Sequence, residues 1–104
     1  MEIIETPIFT KAVLELLPDE EHSKLQQYLI YRPDAGALIV GSGGLRKVRW
    51  NLPGRGKSGG TRTIYYWDYG DRIYMLFCYP KNEQEDLTPK QLILLKKYIK
   101  ENLL

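Results

Sequence analysis

Apolar residues in the first third of the chain recur every three or four positions. Phe9, Val13, Leu14 and Leu17 make one stripe, and Thr6-Pro7 ahead of them reads as an N-cap followed by proline at the first helical position. The spacing predicts a helix over 7–17. Pro18 interrupts it, and Asp19-Glu20-Glu21 supply the acidic first turn of a second helix, where the macrodipole favours carboxylates. Leu25, Tyr28 and Leu29 form its stripe and Pro33 stops it. Ile3-Ile4 suits a short strand before both helices, and Asp34-Ala35-Gly36 reads as a turn.

From Ala37 to Pro80 the helical period gives way to alternation. Ala37–Val40 is a short β-rich segment followed by the tight turn Gly41-Ser42-Gly43-Gly44. Across 45–52, Arg46, Val48 and Trp50 point one way and Lys47, Arg49 and Asn51 the other. Pro53–Gly60 is a glycine-rich basic loop. Thr61–Tyr69 and Arg72–Pro80 are aromatic and β-branched strands joined at Gly70-Asp71. Apolar residues on both parities of Ile73–Cys78 predict a central strand covered on both faces. Thr88-Pro89-Lys90-Gln91 is a capping box opening a last helix with the stripe Leu92, Leu95, Ile99 and Leu103. The order β-α-α-β-β-β-α predicts an α+β domain: an antiparallel central sheet, two N-terminal helices packed on one face, and a C-terminal helix.

At 104 residues the chain is long enough for one core, so 1–104 is expected to be a single domain. A lone cysteine, Cys78, rules out an internal disulfide, and one histidine with it rules out a structural zinc site. No apolar run approaches a membrane span, and Met1-Glu2-Ile3-Ile4-Glu5 lacks the basic start of a secretory signal, so a cytoplasmic location is expected.

Charge changes the picture. The formal net charge is only +2, but no acid lies between Asp34 and Asp68. That window holds Arg46, Lys47, Arg49, Arg55, Lys57 and Arg62, a local +6, while nine cations against thirteen acids leave the remainder at −4. A basic half-surface on an acidic body is the footprint of a polyanion binder.

Familiar catalytic patterns fail. Gly56-Lys57-Ser58 resembles the end of a phosphate-binding loop, but Asn51 stands where its first glycine belongs, and a strand follows instead of a helix. Gly54-Arg55-Gly56-Lys57-Ser58-Gly59 has dinucleotide-fingerprint spacing without the strand–helix context. His22 reads as a surface residue, and the Glu20-Glu21 and Glu85-Asp86 pairs as first-turn acids of helices. What remains is an arginine and lysine cluster with tyrosines. Such a set can bind RNA, or cleave it without a metal when the substrate 2′-hydroxyl attacks the adjacent phosphate. Arginine grips phosphate oxygens in pairs, and a lysine crowded by cations loses basicity and becomes able to exchange protons near neutral pH.

The run Gly43-Gly44-Leu45-Arg46-Lys47-Val48-Arg49, then Gly56-Lys57-Ser58-Gly59-Gly60-Thr61-Arg62-Thr63-Ile64-Tyr65-Tyr66, resembles the RelE superfamily of toxins and, within it, the HigB branch. Tyr79-Pro80-Lys81-Asn82-Glu83, Asp86-Leu87-Thr88 and the terminal helix continue the pattern over nearly the whole chain. The resemblance implies a RelE-like compact domain and an mRNA interferase, a metal-independent endoribonuclease that cuts message in the ribosomal A site and is silenced by an antitoxin. It further implies site residues. The two alternate basic positions of the family match Lys47 and Arg49, its strand-opening arginine matches Arg62, and its basic residue after the last strand falls at Lys81, with Asn82 where several relatives carry arginine. A family tyrosine near the last helix falls at Thr88, which leaves Tyr79 as its substitute.

On that basis Arg62 would stabilise the phosphate in the transition state, and Lys47 or Arg49 would grip or deprotonate the 2′-hydroxyl. Lys81 or Lys57 would protonate the departing 5′-oxygen, and Tyr79 would position a base or the phosphate. Arg55, Lys57 and Asn82 would contact RNA or ribosome; Arg46 would contact ribosomal RNA or pack its stem beside Val48 and Trp50. The expected partners are a cognate antitoxin of helix-turn-helix type, the ribosome and mRNA, with no membrane, cofactor or metal, and a toxin that is monomeric unless joined through its antitoxin. The competing readings are a non-catalytic RNA- or DNA-binding module, or an antitoxin-bound co-regulator, using the same basic face.

Overall fold

The computed structural model describes residues 1–52 and 60–104. Along the chain run β1 (Glu2–Glu5), α1 (Pro7–Leu16), α2 (Asp19–Tyr31), β2 (Ala37–Leu38), β3 (Leu45–Asn51), β4 (Gly60–Trp67), β5 (Arg72–Pro80) and α3 (Pro89–Asn102). The expected caps form. Thr6 accepts from the Phe9 amide at 3.1 Å, and Thr88 and Gln91 close a reciprocal capping box.

The five strands lie in the order β1-β5-β4-β3-β2. Four pair antiparallel as the alternation predicts, whereas β1 adds to the edge beside β5 in parallel. The sheet is therefore mixed, with the expected antiparallel strands at its centre and one parallel strand added at the edge. Two helices and three strands lie between β1 and β5 in the chain, so no hairpin dictates their direction.

Helices cover both faces. Phe9, Val13 and Leu17 of the first helical segment, with Leu25 and Leu29 of α2, pack on Val48, Tyr65, Ile73, Met75 and Cys78. Leu14, expected in that stripe, is instead exposed. On the opposite face α3 sets Ile99, with Leu92, Leu95 and Leu103 beside it, against Leu45, Ile64, Leu76 and Tyr79. The double covering of β5 explains why its apolar residues occupy both parities.

One irregularity re-aims the end of β5. Ile64 and Tyr65 are neighbours on β4, yet their partners are Phe77 and Met75, so Leu76 is an extra residue on β5. Without it, Tyr79 would share the parity of Ile73 and Met75 and face the two N-terminal helices. The bulge turns Phe77 and Tyr79 to the α3 face.

A second local device fixes the turn before β2. The Tyr65 hydroxyl donates to the Pro33 carbonyl and accepts from the Gly36 amide, both at 2.8 Å. A Cβ at Gly36 would lie 2.7 Å from the Tyr65 ring, so this close approach requires glycine.

Candidate functional site

Three strands bring one polar row together. Arg49 on β3 pairs with Arg62 on β4, and Arg62 with Tyr79 on β5. Lys47 stands two residues from Arg49 on the same side of β3. The row lies on the α3 face, where the 81–88 connection passes over it.

That connection brings two carboxylates. Arg62 Nη2 donates to both oxygens of Glu85, at 3.1 and 3.2 Å, and Arg49 Nη2 lies 3.6 Å from the same side chain. Lys47 Nζ ion-pairs with Asp86 and approaches the Glu85 carbonyl at 3.5 Å. The hydrogen bond from Arg62, and then the charges of Arg62, Arg49 and Lys47, hold the Glu85 carboxyl below the usual carboxylate range. The hydrogen bond and charge of Lys47 do the same for Asp86. Both acids are held ionised and are poor bases.

Arg62 itself is enclosed, with 4% of its side chain exposed. Nη1 folds back to the Thr61 carbonyl at 3.2 Å, and Nε is buried with no partner among the described residues. Tyr79 is equally buried, and its hydroxyl donates to the Glu85 carbonyl at 3.2 Å. Burial first, and the charge of Asp86 second, push its pKa up to about 12 against the opposing pull of Arg62. The Tyr79 hydroxyl stays protonated at neutral pH and fastens the loop backbone. With its ring inside the core, Tyr79 presents no open face for base stacking, which leaves the other half of the expectation, a contact with the phosphate.

The remaining expectations separate. Arg46 faces the other side of the sheet. Its Nη1 donates to the Asp34 and Gly36 carbonyls at 3.1 and 2.8 Å and its Nη2 to the Tyr69 hydroxyl at 3.0 Å. Its geometry is that of a structural clamp on the 34–36 turn and Tyr69. Lys81 and Asn82 begin the loop after β5, and the Lys81 amide donates to the Gly60 carbonyl at 2.9 Å, which sets them beside the start of β4. Arg55 and Lys57 lie outside the described residues.

Two further readings are corrected, whereas Glu20 and Glu21 lie in the first turn of α2 as expected. Glu85 and Asp86 precede the Thr88 N-cap and are not first-turn residues of α3. They pair with the cations because the capping box fixes where the helix begins and leaves them in the connection. His22 is half-buried rather than on the surface: its Nε2 lies 2.8 Å from Glu5 and 3.2 Å from Gln26, and its ring packs on Phe9. Glu21 is buried where it accepts from Trp50 Nε1 at 3.1 Å.

A family model described as "RelE toxin of RelE / RelB toxin-antitoxin system" matches residues 34–103, the stretch that contains every residue of the row and both carboxylates. The chain belongs to this RelE toxin family. Membership implies a cognate antitoxin as partner. The matched stretch excludes β1, α1 and α2, so the family signal resides in strands β2–β5 and the last helix. Among the described residues, no helix of this RelE-family chain is long and apolar enough to cross a membrane.

Proposed function

We propose that this RelE-family toxin is a metal-independent endoribonuclease of the HigB branch that cuts mRNA in the ribosomal A site and so inhibits translation. The observation that carries the reading is the Arg49–Arg62–Tyr79 row with Lys47 beside it, inside the stretch that the family model matches. The chemistry is transesterification. The substrate 2′-hydroxyl loses its proton, its oxygen bonds to phosphorus, and the bond to the 5′-oxygen breaks. A cyclic phosphate and a protonated 5′-hydroxyl result.

Arg62 holds the phosphate oxygens as charge accumulates on them. Lys47 or Arg49 grips the ribose side, and Lys47 is the better proton acceptor because arginine stays protonated. Lys81 or Lys57 donates to the leaving oxygen, with Arg55, Lys57 and Asn82 gripping the RNA. Tyr79 supports the Glu85 backbone from below. A helix-turn-helix antitoxin is the partner that silences this site.

Nothing in this set is a strong acid–base pair, and proton transfer by a well-matched side chain contributes about 10²–10⁴-fold. The larger share must come from holding the 2′-hydroxyl in line with phosphorus, which is worth roughly 7–11 kcal/mol and which a flexible single strand resists. The decoding site of a ribosome supplies that alignment. The test is one labelled message, with and without ribosomes stalled at a known codon. Cleavage is expected on ribosomes only; equal rates in both tubes overturn ribosome dependence, and no cutting in either favours a non-catalytic RNA-binding module.

A further inference from the structure

We propose that the carboxylate of Glu85 occupies the position of an RNA phosphate, so that substrate must displace it to reach Arg62. The proposal rests on the nuclease reading only for the identity of the phosphate; the occupied position is a matter of geometry. A guanidinium offers Nε–H and one Nη2–H as parallel donors that match two oxygens of a phosphate. In Arg62, Nη2 is taken by Glu85 and the neighbouring Nε is buried without a partner among the described residues. Among the described residues, one prong of the fork is filled and the other is empty. Burying an unpaired donor on a cation is costly, so the arrangement is poor as a purely structural ion pair. An anion with two oxygens set to span both prongs satisfies it better.

The surroundings fit an exchange of anions. Arg49 reaches the same carboxylate and Lys47 is held by Asp86, so one short connection neutralises all three described cations of the row. The connection itself is anchored. Tyr79 holds the Glu85 carbonyl, and Gln84 Nε2 bonds to the Asp86 carbonyl at 3.0 Å and to Gln91 Oε1 at 2.8 Å. The Glu85 and Asp86 side chains, by contrast, are half and three-quarters exposed. Rotation of the side chains into water therefore empties the position while the backbone stays in place. A free single strand must compete with this tethered carboxylate. A message already aligned by a ribosome competes at higher local concentration, so the same device favours ribosome-bound substrate.

The test measures binding without cleavage. The probe is a short single-stranded RNA in which every 2′-hydroxyl is methylated, titrated at low salt against the parent chain, Glu85→Gln, Glu85→Asp and Glu83→Gln. Glu85→Gln keeps the shape and removes the charge. It should tighten binding about tenfold, the equivalent of one charge-assisted hydrogen bond no longer displaced. Glu85→Asp shortens the reach and should tighten binding less. Glu83→Gln removes the same charge from the same connection without touching Arg62 and should change binding less than about twofold.

Binding by Glu85→Gln that equals or falls below the parent's overturns the proposal, as does equal tightening by Glu83→Gln. Loss of cleavage in Glu85→Gln without tighter binding would make Glu85 a proton acceptor and overturns it too. The two readings fail separately. A parent that cuts ribosome-bound message while Glu85→Gln binds no tighter keeps the nuclease and removes the displaced carboxylate. A Glu85→Gln variant that binds tighter in a chain that never cuts does the reverse.

Discussion

Arg46 and Arg62 are both buried arginines on neighbouring strands, and they are used in opposite ways. Arg46, facing the two N-terminal helices, spends its Nη donors on two backbone carbonyls and a tyrosine hydroxyl that belong to fixed parts of the fold. Its guanidinium also lies over the Tyr69 ring, 5.8 Å from the centroid. Arg62, facing α3, has one donor without a partner among the described residues and another held by a carboxylate that water reaches. A clamp is finished within the fold; a binding group is left incomplete where a ligand arrives. Burial and charge alone do not separate these roles, but the identity of the acceptors does.

The largest expected break of this contrast is Arg62→Ala. It should lower ribosome-dependent cleavage by on the order of 10²–10³-fold, the usual cost of removing one donor to a developing oxyanion. Circular dichroism should show an unchanged fold, since the variant also deletes the unpaired Nε. Cleavage by the folded variant at the parent's rate would remove Arg62 from the chemistry.

Arg46→Ala is the converse. It strands the Asp34 and Gly36 carbonyls and the Tyr69 hydroxyl, and should cost about 2–3 kcal/mol in urea unfolding. Cleavage per folded molecule should stay at the parent's level. A normal melting curve with lost cleavage would make Arg46 an RNA contact after all.

The row itself was legible in the sequence, because alternation along 45–51 assigns Lys47 and Arg49 to one face and Arg46 to the other. Alternation also orders Arg62 on β4. What it does not reveal is which face of β5 Tyr79 joins, because the extra residue Leu76 reverses the parity midway and both faces are apolar. The carboxylates carried a usable signal: a capping box at Thr88 places Glu85 and Asp86 before the helix, so the macrodipole does not account for them. Their pairing with cations 23 to 39 residues earlier depends on strand register, which local spacing does not encode. His22 was misplaced for a related reason. Its partner Glu5 is on β1, and only the docking of α2 beside that strand half-buries both.

The smallest expected effect sharpens the same contrast through pH. Glu85 and Asp86 titrate lower in the folded chain than in the unfolded one, so the folded state binds fewer protons at these groups. The stability they contribute is fully present above the ordinary carboxylate range and is lost as pH falls through their depressed folded values. Both side chains are substantially exposed, so solvent screening keeps the contribution small and added salt reduces it further. Among the described residues, the hydrogen-bond partners of Arg46 are two backbone carbonyls and a hydroxyl, with no carboxylate among them. Urea midpoints measured from neutral pH down to about pH 3 should therefore fall less steeply in Glu85→Gln than in the parent. Arg46→Ala should lower every midpoint while leaving the slope with pH unchanged. An acid limb that Glu85→Gln leaves as steep as the parent's would mean that the exposed carboxylate contributes nothing to holding Arg62 in the free protein, and one that flattens in Arg46→Ala would mean that Arg46 takes part in an acid-sensitive contact.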